Sequence, residues 1–249
     1  MINKKYIYLS VIFVFLIIIK FINPPIIQKI SFLNYDFYQK VFNRGEVKEV
    51  TIVDIDEKSI AKVGQFPWRR DIYSKILKNL NQHNPKVIAF DIVFSEEDKQ
   101  NPKDLLSKLQ VESNQLIEID VIDTNKIFVN SIKNSKVILP ILGEPKDSFV
   151  NNNSKPKLRL LAKGENPKNF IYKFKNKIIS LEEISSAASG IGSISLIPSI
   201  DGVIRSVPVL YNIDDKIWPS LALESVRIAT GQKNLLVKSS KNGIELIKT

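Results

Sequence analysis

The chain has no cysteine and a single histidine, His83, among its 249 residues. The first absence excludes disulfide staples, thiolate-bound zinc and thiol catalysis. The second leaves a Ser-His-Asp triad one residue to draw on. His83 stands beside Asn84-Pro85 at the tail of an expected helix and reads as a surface residue that ends it. Arginine is scarce too, at six of the 36 basic residues. Nucleic-acid surfaces use arginine clusters or a basic face interleaved with aromatics, and the sequence offers neither. The formal charge of +10 is carried by lysines scattered among Asn and Ile, which describes a solvated surface. The same charge suits a weak attraction to anionic lipid headgroups. There is no internal repeat, and beyond the N-terminus no apolar run is long enough to cross a bilayer.

That N-terminal run extends from Tyr6 to Ile22, interrupted by Lys20 and preceded by Lys4 and Lys5. It lies at the short end of what spans a hydrocarbon core, with Lys20 snorkelling to the headgroups. No small-x-small cleavage motif follows; the run stops at Asn23-Pro24-Pro25. The expectation is an uncleaved signal anchor over 6–22, with residues 1–5 in the cytoplasm and everything after it outside. Ile26, Ile30, Leu33, Phe37 and Val41 then recur at helical spacing and predict an amphipathic helix.

The chain is organised around residues 48–94. Residues 50–55 (Val-Thr-Ile-Val-Asp-Ile) form a β-rich run ending in the carboxylates Asp54 and Asp56. Asp71 is a suitable N-cap for a helix carrying Ile72, Tyr73, Ile76, Leu77 and Leu80, which Pro85 stops. Residues 87–94 are a second apolar run, broken by Asp91. Runs apolar on both faces suit a buried parallel sheet, and the spacing allows a right-handed βαβ crossover. Open α/β sheets bind ligands beyond the carboxyl ends of their strands, so Asp54, Asp56, Arg69, Asp91 and Phe94 are the candidate ligand residues. The competing reading is scaffolding: the acids cap loops or pair with Arg69 and Arg70, and Trp68 packs the loop on the sheet.

Further on, residues 95–100 form an acidic polar loop and Pro102 opens a helix to about Gln110. Thr124 caps another helix with Ile127, Phe128 and Ile132 inward. Residues 137–142 (Val-Ile-Leu-Pro-Ile-Leu) are a third buried strand, whose Pro140 argues for a strand end or an edge. Residues 146–168 read as an exposed loop containing the Asn-x-Ser sequence Asn152-Asn153-Ser154. A short strand over 170–174 and a helix over 181–189 ended by Gly190 follow. Residues 192–197 and 203–211 are expected to pair around Asp201-Gly202. After a turn over 212–216, Trp218-Pro219-Ser220 introduces a helix that Gly231 ends, and strands flank Asn242-Gly243. Arg205, alone among apolar neighbours, is a further candidate, either for ligand or for a carboxylate of the first unit.

Several motifs stand in order: Asp-Ile-Asp-Glu-Lys-Ser at 54–59, Phe-Pro-Trp-Arg-Arg-Asp at 66–71 and Ala-Phe-Asp-Ile-Val-Phe-Ser-Glu at 89–96. Asp201-Gly202-Val203-Ile204-Arg205 with Pro208, and Pro219-Ser220-Leu221-Ala222, follow them. Together they resemble the second type of CHASE domain, an extracytoplasmic sensory module that precedes cyclases, histidine kinases and related signalling enzymes. The resemblance runs from about Asp36 to at least Ala229, with Tyr35-Asp36 in the place of the family's Tyr-Asp pair. It implies a non-catalytic sensory domain over 26–249, facing the periplasm or exterior of a bacterial inner membrane. The implied partners are the membrane, an unknown ligand, a cytoplasmic output domain (cyclase, histidine kinase or similar) and a second copy in a homodimer. No nucleic acid, metal or cofactor is expected. Such domains usually continue past this length, so the domain is expected to be incomplete at its C-terminal side, the chain being a fragment, a truncated reading frame or a stand-alone relative.

Asp54 and Asp56 also resemble the opening of a haloacid-dehalogenase-like phosphatase, hydrophobic-Asp-x-Asp-x-Thr, with Asp214-Asp215 as late metal-binding acids. Lys58 stands where Thr belongs in that pattern. A membrane-tethered structural domain is the other alternative. The expected fold is α/β: a mixed, mostly parallel sheet flanked by helices, with one N-terminal transmembrane helix.

Overall fold

A computed structural model describes residues 4–42, 45, 49–113, 121–145 and 154–249. The chain divides into two compact units, Met1–Ile55 with Ile200–Gly202, and Asp56–Ser199 with Val203–Thr249.

In the first unit, α1 (Lys4–Ile22) is long and apolar enough to cross a membrane. Asn23 takes a positive φ of 45° and Pro24-Pro25 follow, which ends α1 and starts α2 (Pro25–Val41) with Pro at its first position. The Gln28 amide donates back to the Asn23 carbonyl at 2.8 Å. Both expected helices are therefore present. The expected strand over 50–55 is not: these residues form no ladder, and Ile52 is 87% exposed. Branched side chains favour a pleated surface only when a neighbouring strand supplies it.

The second unit opens with α3 (Glu57–Val63), capped by Asp56, whose carboxylate accepts from the Ser59 N–H at 2.8 Å. Trp68 anchors the next loop by donating from Nε1 to the Gly64 carbonyl. α4 (Arg70–Asn81) then buries Tyr73 and Leu77. Its N-cap is Arg69; Asp71 lies inside the first turn, where the Arg69 guanidinium takes its carboxylate. β1 (Ile88–Ala89), α5 (Pro102–Ser113) and α6 (Thr124–Lys133) follow. The cap of α6 is Asp123 rather than Thr124. Phe128 and Ile132 are inward as expected, but Ile127 is 40% exposed.

The strand β2 (Val137–Glu144) is the centre of the first sheet. One side of β2 pairs in parallel with β6 (Gly190–Ser193). The other side pairs in parallel with β1 and then antiparallel with β5 (Asn176–Ile179). Pro140 is thus interior, not at an edge. The Phe90 N–H donates to the Ile138 carbonyl, so strand alternation turns the Pro140 nitrogen to the β1/β5 side. Pairing there covers 137–138 and 141–144, and Pro140 falls in the gap, where its missing N–H costs no ladder bond.

A second sheet has the order β10-β9-β3, from β3 (Arg159–Gly164), β9 (Asn234–Ser240) and β10 (Gly243–Lys248). The third has the order β4-β7-β8, from β4 (Tyr172–Phe174), β7 (Leu210–Ile213) and β8 (Lys216–Pro219). Two helices complete the unit, α7 (Glu182–Ala187) and α8 (Leu221–Ala229). Ser220 caps α8 and Gly231 follows it at φ 72°. Among the described residues four strand pairings are parallel and three antiparallel, so the fold is mixed α/β with helices flanking its sheets.

Three further expectations are corrected. Part of the expected loop over 146–168 is strand β3, because Leu160 can join the core of the second sheet. Residues 192–197 and 203–211 contribute β6 and β7 to different sheets and do not pair with each other; a Ser199 N–H bond to the Val203 carbonyl closes the turn between them. Gly190 starts β6 instead of ending α7. The Asn152-Asn153 pair and the first part of that loop lie outside the described residues.

Candidate functional site

The residues singled out from the sequence have separate surroundings. Asp54 is exposed and belongs to the first unit. Asp56 is engaged by Ser59 through both its N–H and its hydroxyl, which holds its carboxyl below the usual range. Arg69 pairs with Asp71 at 2.6 Å, an i,i+2 clasp that depresses the Asp71 carboxyl. Asp91 is exposed just beyond β1, and Arg205 is half-buried. Phe94 is core: 1% exposed, it stacks edge-on with Tyr73 at 5.1 Å and Phe128 at 4.9 Å between ring centres. Its N–H donates to the Ser180 hydroxyl oxygen, and its carbonyl accepts from the Leu181 N–H.

What the fold assembles around Phe94 is a buried polar network. The Arg70 guanidinium lies 4.5 Å from the Phe94 ring centre and donates from Nη2 to the Glu96 carbonyl. Burial pushes the Arg70 guanidinium below its ordinary pKa, and the nearby Asp98 opposes that fall. Asp98, 8% exposed, accepts from the Arg70 N–H at 2.9 Å, the Thr124 hydroxyl at 2.8 Å and the Gln100 N–H at 3.0 Å. Asn101, 1% exposed, accepts the Thr124 N–H and donates to Asp104 at 2.9 Å. One loop carboxylate and one loop amide thereby fix the starts of α4, α5 and α6. The Arg70 and Thr124 N–H groups, otherwise orphaned at the starts of α4 and α6, gain partners, and the Asp98 charge sits at the favourable end of both dipoles.

Beside this network is a cleft of about 590 Å³ between the starts of α5 and α6 and the first turn of α7. Its size falls in the range of small-molecule sites. Asn101 and Asp123 join it to the network, and Glu97, Asp104, Glu182 and Glu183 extend its rim. The lining holds five carboxylates and, in Lys126 and Lys133, two ammonium groups. Within a chain of net charge +10, that is a local inversion of sign. Burial acts to raise the Asp123 carboxyl, but hydrogen bonds from the Lys126 N–H and from Lys103 bring it below its usual value. Hydrogen bonding thus favours the ionised form of Asp123, and the surplus of carboxylates in the lining favours a positively charged guest.

Sequence reasoning missed Arg70 as a core residue, and it missed Asp98, Asn101 and Thr124 as one network. The available signal was Asn101-Pro102, an Asn directly before a helix-starting Pro, together with Asp123-Thr124 before the next helix. The 95–100 segment read as a solvated loop because nothing in its composition distinguishes a buried Asp98 from its exposed neighbours Glu96 and Glu97.

A family model described as CHASE2 domain matches residues 11–247. No curated protein and no solved structure matches the chain.

Proposed function

The chain belongs to the CHASE2 domain family, and from that premise we propose that it is the sensory input portion of a bacterial membrane receptor. CHASE2 domains are extracytoplasmic sensory modules and not catalysts. In this reading α1 is the anchor in the inner membrane, the remainder faces the periplasm or exterior, and a cytoplasmic output domain receives the signal. The observation that carries the reading is the family match across 11–247. The apolar α1 and the acidic cleft support it.

The stimulus is a small ligand bearing positive charge, held by the cleft carboxylates beside the Asp98 network. Asp91, exposed at the end of β1, is kept as a secondary contact outside the cleft, whereas Arg205, itself a cation, is not. A sensor works only if the ligand distinguishes two states. The network offers such a coupling, since Asp98 and Asn101 tie three helix starts to the cleft wall. A phosphatase reading would need Asp56 as general acid, but its carboxylate is occupied as the cap of α3.

Two measurements test this. The chain contains no cysteine, so Lys241→Cys creates a single thiol; a membrane-impermeant maleimide should label it from outside intact spheroplasts. Labelling only after lysis would overturn the orientation. For ligand, the full chain in nanodiscs is melted with spermidine as a cationic probe. Saturation at a hundred times Kd gives about 2.7 kcal/mol, or ~5–11 °C for a unit of this size. The shift should vanish in Glu182→Gln/Glu183→Gln. A shift that survives this substitution would place the cation elsewhere.

A further inference from the structure

We propose that the outer face of the β3–β9–β10 sheet docks on an anionic lipid bilayer. Alternation along β9 buries Leu235 and Val237, so Asn234, Leu236 and Lys238 point to the opposite face. The register then lays out that face rung by rung. Arg159 is opposite Asn234; Leu161 is opposite Leu236, which is opposite Lys248; Lys163 is opposite Lys238, which is opposite Leu246. Four cations thus surround three leucines, of which Leu161 is 38% and Leu246 47% exposed.

Two features of this grid point to an anionic partner. Lys163 and Lys238 are partners on neighbouring strands, where like charges repel. Glu245 offsets Lys238 at 2.8 Å, which leaves the face with a net excess of cations from Arg159, Lys163 and Lys248. Leucines ringed by lysines match a membrane interface, where apolar side chains enter the headgroup boundary and ammonium groups meet phosphates. An acidic protein would satisfy the cations but would leave the leucines without reason. The inference rests on the tether proposed above, which keeps this domain beside a bilayer.

The test is lysine footprinting of the full chain in nanodiscs of phosphatidylcholine alone or mixed equally with phosphatidylglycerol. Acetic anhydride reactivity is read by mass spectrometry. Lys163, Lys238 and Lys248 should each react about 5-fold more slowly in the anionic discs, the ratio that ~1 kcal/mol per lysine at such a surface gives. Lys78 on α4 should be unchanged, and high salt should restore reactivity. In Lys163→Glu/Lys248→Glu, the protection of Lys238 should disappear with the circular dichroism spectrum unaltered. Equal reactivity in the two discs would overturn the proposal. So would protection conferred by soluble polyglutamate and not by anionic lipid, which would assign the face to an acidic protein. Extraction of the chain from membranes by alkaline carbonate would refute the tether separately.

Discussion

Replacing Arg227 by Met should be among the most damaging single changes in the chain. Arg227 and Glu224 lie on α8 at 3% and 0% side-chain exposure, joined by two bonds of 2.7 and 2.6 Å, and Arg227 also donates to the Gln232 carbonyl. Gly190 backs the carboxylate so closely that a Cβ there would overlap Glu224. Removing the guanidinium leaves a buried, unpaired carboxylate, a loss of about 3–5 kcal/mol. For a unit of this size that is a fall in Tm of ~6–20 °C. The double variant Glu224→Leu/Arg227→Met removes both charges and should recover most of the loss, leaving roughly 1 kcal/mol for the orphaned Gln232 carbonyl. Urea unfolding in detergent micelles reports this directly, because Trp68 and Trp218 are both buried in the second unit. A single variant within about 1 kcal/mol of the parent, or a double variant as unstable as the single, would refute the reasoning.

Three other outcomes follow from the same geometry. Thr124→Val deletes the hydroxyl bond to Asp98 and should cost about 1.5–3 kcal/mol; an unchanged urea midpoint would mean that water replaces it. Phe128→Ala opens a hole in the Tyr73, Phe90 and Phe94 cluster, worth about 3–5 kcal/mol by the same assay. The Arg69 clasp keeps the folded Asp71 carboxyl below its unfolded value. Its contribution is therefore present above about pH 4 and is lost as pH falls through the folded value. The stability difference between the parent and Asp71→Asn should accordingly shrink on acidification, as read from urea midpoints along a pH series. A difference independent of pH would count against the clasp.

Local features were legible where one residue type decides the backbone. Ser220 and Gly231 bracket α8, and the positive φ angles of Asp214 and Asp215 make the β7–β8 turn foreseen over 212–216. Long-range pairing was not legible, because period-2 patterns state that a strand has a partner and not which one. The runs 192–197 and 203–211 look like a hairpin, yet each finds its ladder in another sheet. The candidate site failed to show for a related reason. Asp54 and Asp56 draw attention by standing together, whereas Asp98 matters because two segments distant in sequence, at Arg70 and Thr124, converge on it.

Pro140 has a role in time as well as in place. A chain made from its N-terminus presents the run 137–142 long before β6, its neighbour at 190–193, exists. At about 5–20 residues per second the wait is roughly 3–10 s. An apolar, β-prone hexapeptide left open for seconds is the sort of segment that stacks with copies of itself, and a proline inside it breaks the stack. Because its nitrogen falls in the gap between β1 and β5, the finished sheet keeps this safeguard at no cost in hydrogen bonds.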